Sequence, residues 1–478
     1  MKKLVALLIG VFAITLVSAI DPPNVVFILA DDLGVNDLSL YGSTFHETPN
    51  IDALADKGMK FTQAYAANPL CSPTRASIMT GLYPSRIGIT VPVCHLNKLV
   101  LDKQLAESAP ARKKTLDAVS LTRFKTEYYT LAEAFKAQGY ATAHIGKWHL
   151  GPVPYSPLDQ GFDLDIPHSP APSPLAAGFF YPFPIYDSRG KPGDNLEDLM
   201  ADVAVKYIHE HKNEPFFLNY WAWEVHAPWQ AKEHQIDKYR AKADPASPQR
   251  NPVYAGMLET LDEVVGRLVE ALDQAGVLNN TVIIFVGDNG PYINSNKQHM
   301  PEEFHGVPVS SASPLRNGKG SIYEGGTRVP LIVVWPGKVE AGTVTDALQQ
   351  STDFFPTFVD MLGWEVPEGL EFDGVSMKPT LENNIAVRDE IFCHYPHNRP
   401  STSLRQGDWK LIRWYCDNPD QSDRYELYNL ADDESEAVDL ASSEPKRVKK
   451  LAKRMDGLID ETEGLIPIPN PAYSPDLK

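Results

Sequence analysis

Acidic and amide side chains directly follow two apolar stretches of this sequence. Asp31 and Asp32 come after one stretch, and Asp288 and Asn289 come after another. If both stretches are strands of a covered parallel sheet, their carboxyl ends meet at one edge, where such sheets bind ligands. Three carboxylates repel one another and every donor is a hard oxygen, so the cluster predicts calcium or magnesium rather than zinc. The alternative is a helix cap at the first pair and a turn at the second.

A cysteine and an arginine stand one helical turn apart in the segment that begins at Cys71. Pro73 suits the first turn of a helix and Gly81 suits its end, so Cys71 is predicted at the helix N-terminus, which favours anions. The planar guanidinium of Arg75 adds a rigid set of N–H donors for an oxyanion. A single cysteine is more often a small buried apolar residue, and that interpretation stays open.

Cations and imidazoles stand next to three other apolar runs. Lys147 and His149 follow one of them two residues apart, His226 follows another, and Lys319 precedes a third. Each of these residues alone is more often a structural or solvated side chain. Together, at strand ends of an acidic protein, they predict a site for an anion.

The elements that must position these residues are short apolar runs without alternation, at 24–30, 141–145, 215–221, 281–286 and 329–335. Strands that are apolar on both faces belong to a sheet that helices cover on both sides. Helical periodicity lies between them, at 129–138, 196–211 and 252–275. The alternation predicts an α/β domain with a largely parallel sheet.

The pattern changes after about residue 372. Short strand-like segments occur at 390–395, 403–406, 409–414 and 424–427, and a charged helix follows at 442–461. This predicts a smaller antiparallel sheet with a helix, and we divide the mature chain into domains at 20–375 and 376–478. The long polar connection at 90–125 is predicted to form part of the wall of the site.

Composition limits the partners and the location. The chain has 478 residues and a formal net charge of −18, without a basic block, which argues against nucleic-acid binding. Residues 1–19 have the basic, apolar and small-residue parts of a signal peptide, so we expect a periplasmic or secreted protein that has no membrane contact after cleavage. A retained N-terminal anchor is the alternative.

Several of these motifs together resemble the type I sulfatases, which have a Cys-x-Pro-x-Arg signature like that of Cys71 to Arg75. The segment 139–150 resembles the second signature of that family, and the two acidic pairs and Gly318-Lys-Gly320 stand in the family order. The resemblance implies a fold similar to alkaline phosphatase, with a three-layer α/β/α domain around a mixed, largely parallel sheet and a smaller C-terminal α+β domain.

The resemblance also implies a cofactor set and residue roles. A maturation enzyme would oxidise Cys71 to formylglycine, and one Ca²⁺, with Mg²⁺ as the weaker alternative, would be held by residue 71 together with Asp31, Asp32, Asp288 and Asn289. Arg75 and Lys147 would hold the hydrated aldehyde. Sulfate oxygens would bind Lys147, His226 and Lys319, with His226 or Lys319 as the acid and His149 as the base.

The expected activity is hydrolysis of sulfate esters, with exo-acting removal of sulfate from oligosaccharides of a sulfated polysaccharide. The alternatives are a phosphoryl or phosphonate ester hydrolase of the same superfamily and a secreted sulfated-glycan binding protein without catalysis. Candidate sugar contacts are the aromatic residues and histidines near strand ends and loops: Trp221, Trp223, Trp229, Tyr292, His299, His305, His394 and His397. Cys393 and Cys416 are a possible disulfide pair, which spacing alone does not decide.

Overall fold

The computed structural model describes residues 22–174, 178–183, 186 and 190–476. The predicted signal peptide lies outside the described residues. Within them, no helix combines the length and apolar character needed to cross a membrane.

Seventeen strands occur in the described residues, and all nine predicted strands are among them with bounds shifted by at most two residues. They are β1 (Asn24–Ala30), β2 (Met59–Tyr65), β3 (Gln104–Leu105), β4 (Thr115–Leu116), β5 (Ala118–Val119), β6 (Ala141–Gly146), β7 (Leu164–Ile166), β8 (Phe216–Trp221), β9 (Thr281–Gly287), β10 (Arg328–Val334), β11 (Thr343–Thr345), β12 (Gln349–Gln350), β13 (Glu390–Tyr395), β14 (Ser401–Gln406), β15 (Trp409–Trp414), β16 (Arg424–Asn429) and β17 (Ile468–Pro469).

Eleven α-helices accompany these strands in the described part of the chain. They are α1 (Pro49–Ala55), α2 (Cys71–Thr80), α3 (Pro84–Ile87), α4 (Leu131–Ala137), α5 (Leu196–His211), α6 (Glu233–Lys242), α7 (Pro252–Gln274), α8 (Glu324–Thr327), α9 (Phe354–Leu362), α10 (Lys378–Asn383) and α11 (Pro445–Glu461). Side-chain caps set the start of several of them. Asn195 caps α5 and Asn251 caps α7, while Thr130 and Glu133 form a capping box at α4.

The main sheet has nine strands, in the order β11-β2-β10-β9-β1-β8-β6-β7, with β12 also paired to β2. Only β10 runs antiparallel to its neighbours β2 and β9, so the sheet is mixed and largely parallel. The order places β9, β1, β8 and β6 side by side. Their carboxyl ends therefore lie along one edge.

Strand β1 shows why the predicted strands do not alternate. Val26 and Ile28 pack in one core with residues of α5 and α7, whereas Phe27 and Leu29 pack in a second core with residues of α2, α4 and α9. Both faces of the sheet are covered by helices. This confirms the three-layer α/β/α architecture.

The C-terminal region forms an antiparallel sheet in the order β13-β14-β15-β16. One face packs on α11 through residues such as Leu411 and Met455. The other face packs on the loop before α8, where Ile322 and Tyr323 contact Ile412 and its neighbours. This agrees with the predicted fold of a smaller α+β domain, while the boundary at residue 375 stays a prediction.

The long connection at 90–125 is less irregular than its polar sequence suggests. It contains β3 paired with β5, and β4 paired with β17 near the end of the chain. The connection is thereby held between the main domain and the C-terminal segment.

The proposed disulfide between Cys393 and Cys416 is absent. All four cysteines lie in the described part of the chain, and all four are buried and unpaired. Cys393 is on β13, which pairs with β14, and Cys416 follows β15, so the intervening strand separates them.

Candidate active site

The predicted acidic and basic residues meet at the carboxyl edge of the main sheet. Asp31 follows β1 and Asp288 follows β9, and the register places Ala30 opposite Gly287 at the ends of these two strands. Lys147 follows β6 in the same way. The adjacency of the strands thus brings together residues that are more than a hundred positions apart in the sequence.

The oxygen donors form one compact, buried group. The backbone N–H of Asp32 donates to Asp288 Oδ1 at 3.1 Å, and Asn289 Nδ2 donates to Asp32 Oδ1 at 2.8 Å. Asp31 Oδ1 and Asn289 Oδ1 are buried and have no hydrogen-bond partner among the described residues. Unsatisfied buried oxygens are costly, and a hard cation would satisfy them. The donor set therefore fits the predicted calcium ion.

Cations surround these oxygens. Arg75 Nε and Nη2 donate to Asp288 Oδ2 at 3.0 and 2.8 Å, and its Nη1 donates to the carbonyl oxygen of Lys147 at 2.7 Å. Lys147 Nζ lies 2.5 Å from Asp31 Oδ2, and Lys319 Nζ lies 2.7 Å from Asp32 Oδ2. Positive charge is therefore fixed at the site, although the whole chain is acidic.

Cys71 lies between the oxygens and the cations. It is the first residue of α2, which ends at Gly81 in the left-handed conformation, as predicted. Its Sγ and carboxylate oxygens of Asp31 and Asp288 lie within 4.8 Å of one another. Burial raises the pKa of the Cys71 thiol to about 12 against the opposing charge of Lys147, so the unmodified thiol stays protonated and is a weak nucleophile.

The two histidines lie at the rim of this cluster. His149 has a positive φ of 57° and is buried, and its Nδ1 has no hydrogen-bond partner in the described part of the chain. His226 Nε2 lies 3.7 Å from Asp32 Oδ2, and its Nδ1 donates to the Ala227 carbonyl at 2.7 Å. Burial lowers the pKa of His149 well below its usual range and that of His226 to about 3, with nearby lysines adding to both shifts. Both rings are therefore neutral in this arrangement.

One residue of the site was missed by sequence reasoning. His95 Nδ1 lies 2.9 Å from His149 Nε2. His95 belongs to the polar connection at 90–125, which was predicted to form a wall, but no motif or spacing marks this histidine. Its partnership depends on how that connection folds over β6.

A cavity of about 570 Å³ opens beside Asp32, His226 and Lys319. Three of the predicted sugar contacts line it, namely Trp229, Tyr292 and His299. The ring centroids of Trp229 and Tyr292 are 5.1 Å apart, and Tyr292 is partly exposed whereas Trp229 is buried. This volume is within the range of small-molecule sites.

The other predicted sugar contacts do not line this cavity. Trp221 and Trp223 are fully buried, and Trp221 lies under the guanidinium of Arg75 at 5.1 Å, so both predictions are wrong. The remaining three histidines bond within the protein: His305 to the Met300 carbonyl, His394 to Thr402 and the Leu465 carbonyl, and His397 to Thr90. His397 also lines a separate, larger cavity.

Comparison with known proteins agrees with this geometry. The Sulfatase family model matches residues 23–364, and the model for the C-terminal region of N-sulphoglucosamine sulphohydrolase matches residues 317–463. The N-acetylgalactosamine-6-sulfatase of Sus scrofa is 31% identical over 418 residues, covering 83% of this chain and 73% of that protein. The N-acetylgalactosamine-6-O-sulfatase of Bacteroides thetaiotaomicron is 27% identical over 519 residues, covering 91% and 93%.

A solved structure shows the same architecture. The crystal structure of Ps i-CgsB in complex with k-i-k-neocarrahexaose has a TM-score of 0.72 and 28% identity, and the match covers 92% of this chain and 93% of that one. The alkaline phosphatase-like fold is therefore confirmed. With the family model matching most of the sequence, this chain belongs to the sulfatase family and is a sulfuric ester hydrolase.

Proposed function

We propose that the protein removes sulfate esters from sulfated carbohydrates, acting from the end of oligosaccharides of a sulfated polysaccharide. The observation that carries this proposal is the position of Cys71. Its Sγ lies within 4.8 Å of oxygens of Asp31 and Asp288 on one side and of Asp32 and His226 atoms on the other. A reactive group on residue 71 would therefore act beside a bound cation and next to the cavity that Asp32, His226 and Lys319 line.

Two groups complete the site in this proposal. A maturation enzyme oxidises Cys71 to formylglycine, and one calcium ion is held by residue 71, Asp31, Asp32, Asp288 and Asn289. When present, the hydrated aldehyde supplies a hydroxyl nucleophile and a second hydroxyl that allows sulfate to be expelled, while calcium draws charge from the sulfate oxygens. The buried, partnerless oxygens of Asp31 and Asn289 support the ion.

The cations orient the reacting groups. Arg75 is fixed by Asp288 and by the carbonyl of Lys147, so its guanidinium is rigid beside residue 71. Lys147 and Lys319 carry positive charge close to residue 71, where it would face the sulfate oxygens, and His226 lines the same cavity as Lys319. Preorganised charge of this kind stabilises the negative charge that develops on the leaving oxygen.

Hydrogen bonding separates the two candidates for the general acid. A carbonyl oxygen only accepts, so His226 Nδ1 carries the proton that is donated to Ala227, and in a neutral ring Nε2 is then bare. Lys319 is an ammonium held by Asp32. We therefore assign Lys319 as the donor to the departing alcohol, with His226 as an acceptor that orients substrate.

His149 is suited to the base role in the second half of the reaction. Its Nδ1 has no hydrogen-bond partner among the described residues, while its Nε2 is engaged by His95. In the tautomer whose Nε2–H donates to His95 Nδ1, the Nδ1 of the neutral ring is bare and would accept a proton from the second hydroxyl. His95, which bonds to Nε2, would fix the orientation of the His149 ring and thereby the position of its Nδ1.

The carbohydrate part of the proposal has two supports. Tyr292 is partly exposed in the cavity beside Lys319 and packs against the buried ring of Trp229, and sugar rings stack on aromatic side chains of this kind. Two of the relatives are N-acetylgalactosamine-6-sulfatases, and the solved neighbour is in complex with k-i-k-neocarrahexaose. Export through the signal peptide at 1–19, to the periplasm or the medium, would give access to such polymers.

A sulfatase assay on a panel of sulfated mono- and oligosaccharides and aryl esters tests this function. We expect sulfate release from at least one sugar and much slower release of phosphate from aryl phosphates. Cys71→Ala should lower the rate by on the order of a thousandfold or more, because it removes the nucleophile. The matched control is Cys393→Ala, another buried cysteine, which should retain activity.

Peptide mass spectrometry of residue 71 tests the modification separately. We expect the active protein to lack the Cys71 sulfur. Activity confined to aryl sulfates would contradict the carbohydrate assignment, and full activity of Cys71→Ala would contradict the mechanism.

A further inference from the structure

A second, larger cavity starts at the rim of the active site. Leu70, which precedes Cys71, lines both this cavity and the one beside Lys319. Gly320, which follows Lys319, also lines it, and its N–H donates to the Pro69 carbonyl at 2.9 Å. The two cavities therefore share one wall, which carries residues adjacent to the nucleophile and to the proposed acid.

The larger cavity continues away from the active site. Its volume is about 840 Å³, and it lies between the 90–125 connection and the C-terminal sheet. A third cavity of about 440 Å³ shares four of its lining residues: Lys113, Asn398, Arg399 and Trp414. Together the two form one groove, here called the basic groove, that runs outward from Leu70.

Charge distinguishes the outer part of this groove. Arg112, Lys113, Lys114 and Arg399 line it, and Asp417 is the one carboxylate in its lining. Lys113 pairs with Asp117, which lines the inner part. The groove therefore has four cations against two carboxylates, in a chain whose formal net charge is −18.

Two of these cations are available to a ligand. Arg112 is exposed and has no hydrogen bond or ion pair with any described residue. The side chain of Arg399 is 59% exposed, it reaches Asp417 only at 3.4 Å, and its guanidinium lies 4.2 Å from the centroid of the Trp414 ring. A guanidinium supported on an aromatic ring presents its remaining donors to a planar or tetrahedral anion.

We propose that the basic groove binds further sulfate groups of the substrate, so that the preferred substrate is an oligosaccharide sulfated at more than one residue. This rests on the proposed function, since the groove starts where the hydrolysed end would sit. The terminal sugar lies in the cavity beside Lys319, and the rest of the chain passes over Leu70 toward Arg399 and Arg112. The recognised chemistry is a polyanionic sugar chain.

Binding measurements with an inactive protein test the groove independently of turnover. In a Cys71→Ala background, a sulfated galactan hexasaccharide and its chemically desulfated counterpart are titrated by calorimetry. We expect the sulfated chain to bind more tightly. Adding Arg112→Ala and Arg399→Ala together should raise its Kd roughly tenfold at low salt, because two charged contacts are lost. The desulfated chain should bind all variants alike.

Lys449→Ala is the matched control, since Lys449 is an exposed cation on α11 outside the groove. It should leave the Kd unchanged. In the Cys71-containing enzyme, Arg112→Ala and Arg399→Ala should lower kcat/KM for the multiply sulfated chain and leave that for a monosulfated monosaccharide unchanged. Equal binding of sulfated and desulfated chains, or an unchanged Kd in the double variant, overturns the groove. Groove-dependent binding without any sulfate release would instead overturn the proposed function alone.

Discussion

Two of the buried clusters of charged side chains in the described residues invite comparison. The active-site cluster contains Asp31, Asp32, Asp288, Arg75 and Lys147 together with the largely buried Lys319, and the interface cluster contains Glu324, Lys410 and Glu436. Both combine acids and bases at low exposure. They differ in how fully their oxygens are satisfied.

The charged groups of the interface cluster are paired with one another and with neighbouring donors of the protein. Lys410 Nζ lies 2.8 Å from Glu324 Oε1 and 2.9 Å from Glu436 Oε1. The second oxygen of Glu324 accepts from the Tyr65 hydroxyl at 2.7 Å, and that of Glu436 accepts from the backbone N–H of Glu324 at 2.7 Å. Each carboxylate oxygen thus has a donor or a cation, although Glu436 Oε1 has only the ion pair with Lys410 and no hydrogen bond among the described residues. The cluster joins α8 to the C-terminal sheet.

The active-site cluster contains buried oxygens that the described part of the protein does not satisfy. Asp31 Oδ1 approaches Arg75 only to 3.7 Å and makes no hydrogen bond, and Asn289 Oδ1 has none within the described residues. Buried charge alone therefore does not mark the functional site. What distinguishes the active-site cluster is that two candidate metal ligands, Asp31 and Asn289, each keep a buried oxygen without a donor in the described part of the chain, so these oxygens remain available to an external cation.

The largest effect on stability is expected from Lys410→Ala. This change leaves two buried carboxylates without their cation, and breaking a buried pair in this way costs about 3–5 kcal/mol. Urea unfolding followed by tryptophan fluorescence should show the loss, while sulfate release by the remaining folded protein is retained. Exposed Lys449→Ala should change the free energy of unfolding by less than about 0.5 kcal/mol. If the Lys410→Ala protein were stable but inactive, the interface cluster would have a functional rather than a stabilising role, contrary to this assignment.

A smaller effect, of a different kind, is expected from Asp31→Asn. It removes one charge from the proposed calcium site, so calcium affinity should fall on the order of tenfold to a hundredfold. Calcium content after dialysis and the rise of Tm with added calcium report this independently of activity. Glu324→Gln is the control from the interface cluster and should leave calcium affinity unchanged. Equal calcium binding by wild type and Asp31→Asn would contradict the ligand set.

The smallest effect concerns pH. Burial raises the pKa of Glu436 from 4.5 to about 7, against the charge of Lys410 and with the added repulsion of Glu324. The native state therefore binds more protons than the unfolded chain between these values, and this residue's contribution to the free energy of unfolding falls as pH rises from about 4.5 to 7.

Glu436→Gln should flatten this dependence by on the order of 1 kcal/mol, measured by urea unfolding at several pH values. The exposed Glu340→Gln should leave the profile unchanged. A steeper fall in the Glu436→Gln protein would show that the carboxyl is ionised throughout.

Much of the fold follows from local sequence. The run at 24–30 predicts β1 with its observed bounds, and the segment at 196–211 predicts α5, because apolar periodicity and the cap at Asn195 act over a few residues. The order of strands in the sheet does not follow in this way. It depends on contacts such as β1 with β9, which are about 250 residues apart.

The residues of the site show the same difference between what local sequence predicts and what depends on the tertiary fold. Residues placed at strand ends or at a helix start, such as Asp31, Lys147 and Cys71, were predicted because their element fixes their position. Trp221 was misplaced, since a strand-end aromatic gives no sign of which face it packs on. His95 was missed because its role comes only from the fold of a connection without periodicity.

The sequence by itself therefore determined the elements, the family motifs and the set of charged groups at the sheet edge. Only the tertiary structure decided which oxygens stay unsatisfied, which aromatic residues face a cavity, and that a groove lined by Arg112 and Arg399 continues from the site. The physical reason is the distance along the chain over which each interaction acts. Caps and periodicity act between neighbours in the chain, whereas burial and the satisfaction of a buried oxygen depend on atoms brought from distant segments.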